Sequence, residues 1–416
     1  MAEPRRMIPV SEALALILDG LEPLETIFAE VHPDGHLDAT LEGRPALAET
    51  LHARWSLPTH DTAIMDGFAL RCADLHHEDG LAIQGESAAG HPAATHLAPG
   101  HAMPISTGAV IPDQADLVVP IEDCERLGDR VRFNEDARAR GRVGRFIRPA
   151  GSDVRADSLL LEAGTSLGPA ELPLLVAGGH HRIPIVRPPR VAILATGDEL
   201  LPPGAVPERG QLIETNSMML QALSRETGAQ VHSVGRVGDT RRATLDSIRE
   251  AAGADLLLTT GGISVGVHDH VGPALRELGF ELAFEKVQLR PGKPTTFGRL
   301  GGCRVLALPG NPASSYVAFE LFARPLLRRL GGHAQLQRPR ARVPLATKLE
   351  AEERRDHYLR ARIVDGKAEP LPTQLSGALT SIAAAEVLLL LPGGSGEYAA
   401  GDEVEAIILN PERFSL

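Results

Sequence analysis

Cysteine is scarce in these 416 residues: Cys72, Cys124 and Cys303 stand far apart, and no Cys-x-x-Cys pair signals a zinc site or a redox couple. An odd, sparse set of thiols fits a reducing compartment. Aromatic residues make up 3%, too few for a platform that stacks single-stranded bases. Cations are outnumbered, 42 against 54 acids, and the formal charge of −12 argues against nonspecific nucleic-acid binding. No apolar run approaches the ~20 residues of a membrane helix, so no membrane partner is expected. Arg5 and Arg6 precede an apolar stretch in the manner of a signal peptide, but Glu12 and Asp19 break it and no small-residue cleavage site follows. The expected location is cytoplasmic. Gly-x-Gly-x-x-Gly after a strand, a Walker A loop and His-Glu-x-x-His are all missing, which removes the commonest dinucleotide, nucleotide and zinc-protease signatures.

What is present is a globular composition, 43% hydrophobic and 23% charged, long enough for roughly three domains. Glycine (42) and proline (32) exceed their usual combined share of ~12%, which implies many tight turns. Ser11 reads as the cap of an amphipathic helix that Gly20 ends. The rest of residues 1–185 reads as short strands broken by Gly and Pro, for example 109–121 and 130–133. From 186 to 332 strands and helices alternate. Strands are predicted over 191–195, 230–234, 255–260, 281–287 and 304–308. Helices are predicted from Asn216 to Gly228, over 240–252, up to Leu278 and over 313–330. The alternation predicts a doubly wound α/β domain with a parallel sheet. Residues 333–416 alternate as strands, with an Asp365-Gly366 hairpin turn, and predict a small β-barrel or sandwich.

The chemistry sits in loops after strands, where α/β sheets bind ligands. Gly262-Ile263-Ser264-Val265-Gly266 matches the Gly-x-Ser-x-Gly nucleophile elbow of α/β-hydrolases. Asp269 and His270 lie too close to Ser264 to complete a triad, leaving His333 and His357 as its possible bases; an ordinary glycine turn is the simpler reading, with Ser264 structural. Thr259-Thr260-Gly261-Gly262 can let a phosphate approach the backbone, with Asp269 placed for a metal ion or polar group. Arg290-Pro291-Gly292-Lys293-Pro294 sets two cations in a stiff loop suited to an oxyanion. Leu308-Pro309-Gly310-Asn311-Pro312 leads into a helix carrying Ser314. Asp198-Glu199, at the end of the first strand of the sheet, suits Mg²⁺. Each piece has a plain alternative in a turn, a cap or a solvated charge.

Taken in order, these pieces resemble the molybdopterin molybdenumtransferases, that is, the MoeA proteins and the C-terminal domain of gephyrin, over essentially the whole chain. The matching segments begin with Ala63-Ile64-Met65-Asp66-Gly67-Phe68-Ala69, then Thr107-Gly108-Ala109 with Pro112, Asp116 and Glu122-Asp123, then Arg148 with Gly151 and Asp153. They continue with Thr196-Gly197-Asp198-Glu199-Leu200, Asn216, Asp239, the 261–266 loop with Asp269, and the two proline loops. Arg355, Arg360, Ser376 and Gly401-Asp402 complete the match. Departures are Arg290 where the family has Lys, Ser152 where it often has Glu, Ile64 for Ala and Phe68 for Tyr.

The resemblance implies a homodimer with several domains, the first 185 residues holding two intertwined, dimer-forming ones. It implies insertion of molybdenum from molybdate into adenylylated molybdopterin with release of AMP, assisted by Mg²⁺. The adenylyltransferase that makes this substrate is a possible partner. It implies Asp66, Asp153, Asp239 and Asp269 as catalytic carboxylates. Thr107, Arg148, Glu199, Gly261, Gly262, Ser264, Arg290, Lys293, Pro309, Gly310 and Asn311 would bind substrate. Lys293, Ser314, Arg355 and Ser376 would hold molybdate, and Asp198, Glu199 and Asp269 the metal ion. Asp66, Thr107 and Asp153 lie outside the α/β part and would act across the dimer. Two alternatives stand beside this reading. A molybdopterin adenylyltransferase shares the α/β domain, but its Gly-Gly loop usually continues Thr-Gly and it lacks the flanking domains. A gephyrin-like scaffold would need a linker or partner module, and none is visible.

Overall fold

The strand–helix alternation of the second half builds one seven-stranded sheet in the computed structural model, which describes residues 5–34, 37, 43–237, 240–261 and 270–414. In chain order its elements are β1 (Arg5–Ile8), α1 (Val10–Leu18), β2 (Arg190–Thr196), α2 (Asn216–Glu226), β3 (Gln230–Val237), α3 (Arg241–Ala251), β4 (Leu256–Thr260), α4 (Val271–Glu277), β5 (Glu281–Val287), β6 (Thr296–Leu300), β7 (Cys303–Leu308), α5 (Pro312–Ala318) and α6 (Arg324–Leu330). The strands stand in the order β1-β5-β6-β7-β4-β2-β3. β7, β4, β2 and β3 are parallel, as crossover helices require. The expected all-parallel sheet is nonetheless mixed, because β6 runs antiparallel to both β5 and β7. The cause is local. The turn after β5 folds straight back, with Val287 N–H donating to Lys293 O and Lys286 N–H to Thr295 O, and Gly301-Gly302 then reverses the chain again.

Side-chain alternation explains the two helical layers. Val191, Ile193, Leu256, Leu258, Leu306 and Leu308 point to one face, under α1, α2, α5 and α6. Ala192, Leu194, Leu257 and Val305 point to the other, under Leu245 and Ile248 of α3 and Val271, Ala274 and Leu275 of α4. Strands buried on both faces read as continuous apolar runs, as these do.

Two predicted helix caps shift, and one predicted helix is interrupted. The first helix is capped by Pro9 and not by Ser11, which lies inside it, because β1 holds the chain extended up to Ile8. Asn216 is the first helical residue, behind Thr215, and its amide is used elsewhere. The last helix is continuous from Pro312 to Leu330 only through a π-turn at Phe319–Ala323. Pro325 lacks an N–H and would crowd the carbonyl four residues back, and the wider turn relieves this.

The C-terminal strands are β8 (Arg340–Pro344), β9 (Asp356–Val364), β10 (Lys367–Pro370), β11 (Val387–Leu391) and β12 (Glu403–Ile408). β11 lies between β9 and β12, β12 pairs with β8, and β10 pairs with β9. A Leu345–Ala368 bridge joins the chain beyond β8 to β10 and closes the sheet into a barrel. Asp365 and Gly366 both take positive φ (49° and 71°), the primed two-residue turn expected of that pair. Val387, Leu389 and Leu391 fill the barrel, while Leu388 faces outward into the core under the α/β sheet. The short strand Leu289–Arg290 adds in parallel to Asp356–His357 of β9, so the 290–294 loop is tied to the barrel.

A second compact unit comprises Thr50–Glu162 and Pro169–Arg182; residues 163–168 and everything else described belong with the first. It is built on a six-stranded sheet ordered Leu117–Pro120, Gly67–Leu70, His101–Ile105, Leu81–Ile83, Arg130–Phe133 and Cys124–Leu127. Residues 109–116, read as strand from the sequence, form no part of it. Phe68, Leu70, Leu81, Leu117, Val119 and Val131 form its core. No helix among the described residues is long and apolar enough to cross a membrane.

Candidate active site

In the first unit three parallel strands end side by side. Thr196 closes β2, Thr260 closes β4 and runs into Gly261, and Leu308 closes β7 and runs into Pro309-Gly310-Asn311. The ends are tight. A Cβ on Gly261 would lie 3.0 Å from Thr196 O, and one on Gly310 would lie 3.8 Å from Gly261 Cα. Gly261 also has φ +77°, a region that disfavours any side chain. Gly261→Ala is therefore expected to lower stability by about 1–2 kcal/mol. Denaturant midpoints read this directly, and an unchanged midpoint would show that the turn relaxes freely. Asn216, at the start of α2, reaches across and donates its Nδ2 to Gly310 O at 2.7 Å. Asp198 and Glu199 are exposed just beyond β2, with the Glu199 carboxylate folded over Gly197.

At the join of the α/β domain and the barrel the predicted residues fall into two local groupings, Asn311 with Ser376 and Arg290 with Arg355. Asn311 Nδ2 donates to Ser376 Oγ at 2.9 Å, and Ala313 N–H donates to Ser376 O at 2.9 Å. Ser314 is buried, and a Cβ on Gly292 would sit 3.6 Å from its carbonyl, so the 290–294 loop abuts the start of α5. Lys293 is exposed. Arg290 and Arg355 both pair with Glu352, the latter through its Nε and one terminal nitrogen at 2.8 Å. Arg355 is thus half-buried in an ion-pair cluster and not a solvated charge in an alternating run. Glu352 itself carried no sequence signal beyond that run.

In the second unit, Asp66 accepts hydrogen bonds from the Thr107 N–H (2.6 Å) and hydroxyl (2.8 Å). The Thr107 backbone bond, then its hydroxyl, holds the Asp66 carboxyl below its ordinary range. The chain has no alternative to glycine after Asp66, since a Cβ at Gly67 would lie 2.0 Å from Val119 O. The preceding residues are clamped: Ile64 N–H donates to Phe146 O, and the strand Ile147–Arg148 pairs with Thr62–Ala63. Arg148 forms a 3.6 Å ion pair with Asp153. Asp66, Thr107, Arg148 and Asp153 therefore belong to one locality of this unit. Asp239, Gly262, Ser264 and Asp269 lie outside the described residues, and among the described ones no cluster of three or more metal-ligating side chains occurs.

The hydrolase alternative loses its bases. His333 is buried with Nδ1 2.8 Å from Ser166 Oγ, and burial, helped by Arg328, pushes its pKa down to about 3. His357 is also buried, and burial followed by Arg290 pushes it down to about 4. Neither is a useful proton acceptor at neutral pH.

A mixed α/β sheet with glycine-lined strand ends, joined to a cation-bearing barrel, in a chain that also holds a β-rich second unit, defines a multidomain α/β protein with a loop-built site at the strand ends. Three family descriptions match in succession: "MoeA N-terminal region (domain I and II)" over residues 8–179, "Probable molybdopterin binding domain" over 192–329, and "MoeA C-terminal region (domain IV)" over 342–409. The molybdopterin molybdenumtransferase of Bacillus subtilis is 31% identical over 100% of this chain and 97% of its own length. That of a Nostoc species is 34% identical over 86% of this chain and 85% of its own. A crystal structure of the molybdopterin biosynthesis moeA protein from Pyrococcus horikoshii OT3 superposes with a TM-score of 0.78 at 27% identity, covering 97% of this chain and 100% of that one. The chain belongs to the MoeA family of molybdopterin molybdenumtransferases.

Proposed function

We propose that the chain moves molybdenum from molybdate onto the dithiolene of adenylylated molybdopterin and releases AMP. In balance, one oxo group of molybdate leaves with the two thiol protons as water while two Mo–S bonds form. A second water cleaves the phosphoanhydride to give AMP and the molybdopterin phosphate. The observation that supports this reading is the pairing of Arg290 with Arg355 through Glu352, together with the Asn311–Ser376 bond at the end of β7, on loops that tie the α/β domain to the barrel. Cations supply charge to a tetrahedral oxyanion and hydroxyls donate the remaining bonds. Gly261, Pro309, Gly310 and Asn311 give the substrate phosphates close backbone approach.

Asp198 and Glu199 are the described carboxylates suited to Mg²⁺, which commonly takes one or two carboxylates together with substrate phosphate and water. Bound there, Mg²⁺ would neutralise phosphate charge. Asp269, by its place in the sequence, would join them, with Asp239 as a further catalytic carboxylate and Gly262 and Ser264 contributing to substrate binding. Asp66, held ionised by Thr107, is better suited to fix charge or orient a donor than to take up a proton; Asp153 would act beside its ion-pair partner Arg148. The working unit is a homodimer, which sedimentation of the purified chain checks. An adenylyltransferase-type enzyme must supply the substrate, and the cytoplasm is the compartment where both would meet.

Arg355→Ala tests the pocket. A charge-assisted donor is lost, and Glu352 is left facing Arg290 alone, so the half-saturating molybdate concentration is expected to rise about tenfold or more. Binding of adenylylated molybdopterin should stay nearly unchanged. An unaltered half-saturation would exclude Arg355 from the pocket.

A further inference from the structure

Arg360, on β9, has the largest fully buried side chain among the described residues. Its Nε donates to Ser381 Oγ and its Nη2 to Leu375 O, each at 3.2 Å. Nη1 is buried and has no partner. A buried guanidinium is ordinarily matched by a carboxylate. Here the charged group that acts on it is another cation, Arg290.

The neighbourhood shows the same imbalance. The charges felt by His357, the buried neighbour on β9, are those of Arg290, Glu352, Arg360 and Arg355. Glu352 already serves both Arg290 and Arg355. His357 is neutral at pH 7, being held down to about 4 by burial and then by Arg290. Arg290 and Arg355 thus share one carboxylate, and Arg360 has none among its hydrogen-bond partners, inside a chain whose formal charge is −12. Arg360 is also tied to the candidate pocket through the backbone: Leu375, whose carbonyl it binds, precedes Ser376, which Asn311 engages. Gln374 fastens the same loop by accepting from Arg360 N–H and donating to Arg360 O.

We infer that Arg360 is a specificity-determining residue of the oxyanion pocket: its unpartnered Nη1 and uncompensated charge make the pocket select a dianion over a monoanion of the same tetrahedral shape. This rests on the molybdate reading above and adds to it a rule for charge.

The test is calorimetric titration of the full-length protein with molybdate, a tetrahedral dianion, and perrhenate, a tetrahedral monoanion. Wild type is expected to bind molybdate the more tightly. Arg360→Gln keeps a donor for Leu375 O and removes the charge. It should weaken molybdate at least ~10-fold, the scale of a lost charge-assisted contact, and perrhenate far less, so the ratio falls. Arg360→Lys should keep the ratio while weakening both anions. Arg360→Met is the second neutral variant should Arg360→Gln fail to fold, as judged by circular dichroism. An unchanged ratio in a folded neutral variant overturns the role of Arg360 and leaves the pocket standing. Wild type binding neither anion overturns the pocket reading itself and this inference with it.

Discussion

Asp66→Asn is expected to lower molybdenum insertion by at least ~10²-fold while leaving the protein folded. The side chain is exposed and accepts two bonds from Thr107, and the Oδ1 of asparagine can accept the same two, so shape and turn geometry survive. What disappears is a negative charge held in a fixed place. The Thr107 backbone bond and then its hydroxyl keep the Asp66 carboxyl ionised below its ordinary range. The sign follows from linkage: a depressed folded pKa gives a contribution that is present above the unfolded value and is lost as pH falls through the folded one. Acid, not alkali, should loosen this turn. Thr107→Val is the companion variant. It removes only the hydroxyl bond, keeps the backbone one, and should cost much less activity. Turnover and circular dichroism measured on both variants decide the matter; near-normal turnover in Asp66→Asn removes the residue from the reaction machinery.

The largest stability effect is expected at Glu320, in the π-turn between α5 and α6. Its side chain is 1% exposed and receives four bonds, two from Arg324 (2.6 and 3.2 Å) and two from Arg338 (2.8 and 3.0 Å). Burial opposes its ionisation, and the two guanidiniums outweigh burial, so the carboxyl lies below its ordinary range. Glu320→Ala leaves two nearly buried cations with only the half-exposed Glu226 for company. Stranding buried charges in this way costs about 3–5 kcal/mol, readable as a shift in urea midpoint. A shift under ~1 kcal/mol would mean that Glu226 alone satisfies both arginines, as an ordinary exposed ion pair would. Because the folded pKa is depressed, the stabilisation is present above the unfolded carboxylate value and is lost as pH falls through the folded one. Replacing Glu320, Arg324 and Arg338 together by apolar residues should be far milder than Glu320→Ala, since no charge is stranded.

The contrast between these two acids shows what a sequence can and cannot carry. Asp66 is legible in the sequence only through the resemblance of its Met65-Asp66-Gly67 motif; the physical reasons for the motif, a Gly67 with no room for a Cβ and a Thr107 that presents both an N–H and a hydroxyl, exist only in the fold. Glu320 lies in an apolar helical stretch, and nothing local says that Arg338, beyond a turn, folds back onto it. The strands β2, β4 and β7 are legible because burial on both faces makes them uniformly apolar. β6 is not, because Thr296-Phe297-Gly298-Arg299-Leu300 follows a proline loop and contains a glycine, and its direction is set by the tight returns on either side. Asn216 reads as a helix cap by type, yet its amide bridges to Gly310, a contact made only when β2 and β7 end side by side. Arg360 enters the sequence reading only as one of the C-terminal residues that complete the resemblance. Its burial, against Gln374, Leu375 and Ser381, comes from a loop and helix that fold back on β9 and is not written in its local sequence.

The central claim is that this protein couples loss of AMP to gain of molybdenum, and one stoichiometry tests it. The purified chain is incubated with adenylylated molybdopterin, Mg²⁺ and molybdate, and AMP and dithiolene-bound molybdenum are quantified in the same samples. Active cofactor is scored by transfer to a cofactor-free molybdoenzyme. The account requires AMP and bound molybdenum to rise together in equal amounts. AMP released with no molybdenum on the dithiolene, or molybdenum inserted with the adenylyl group still in place, would contradict it.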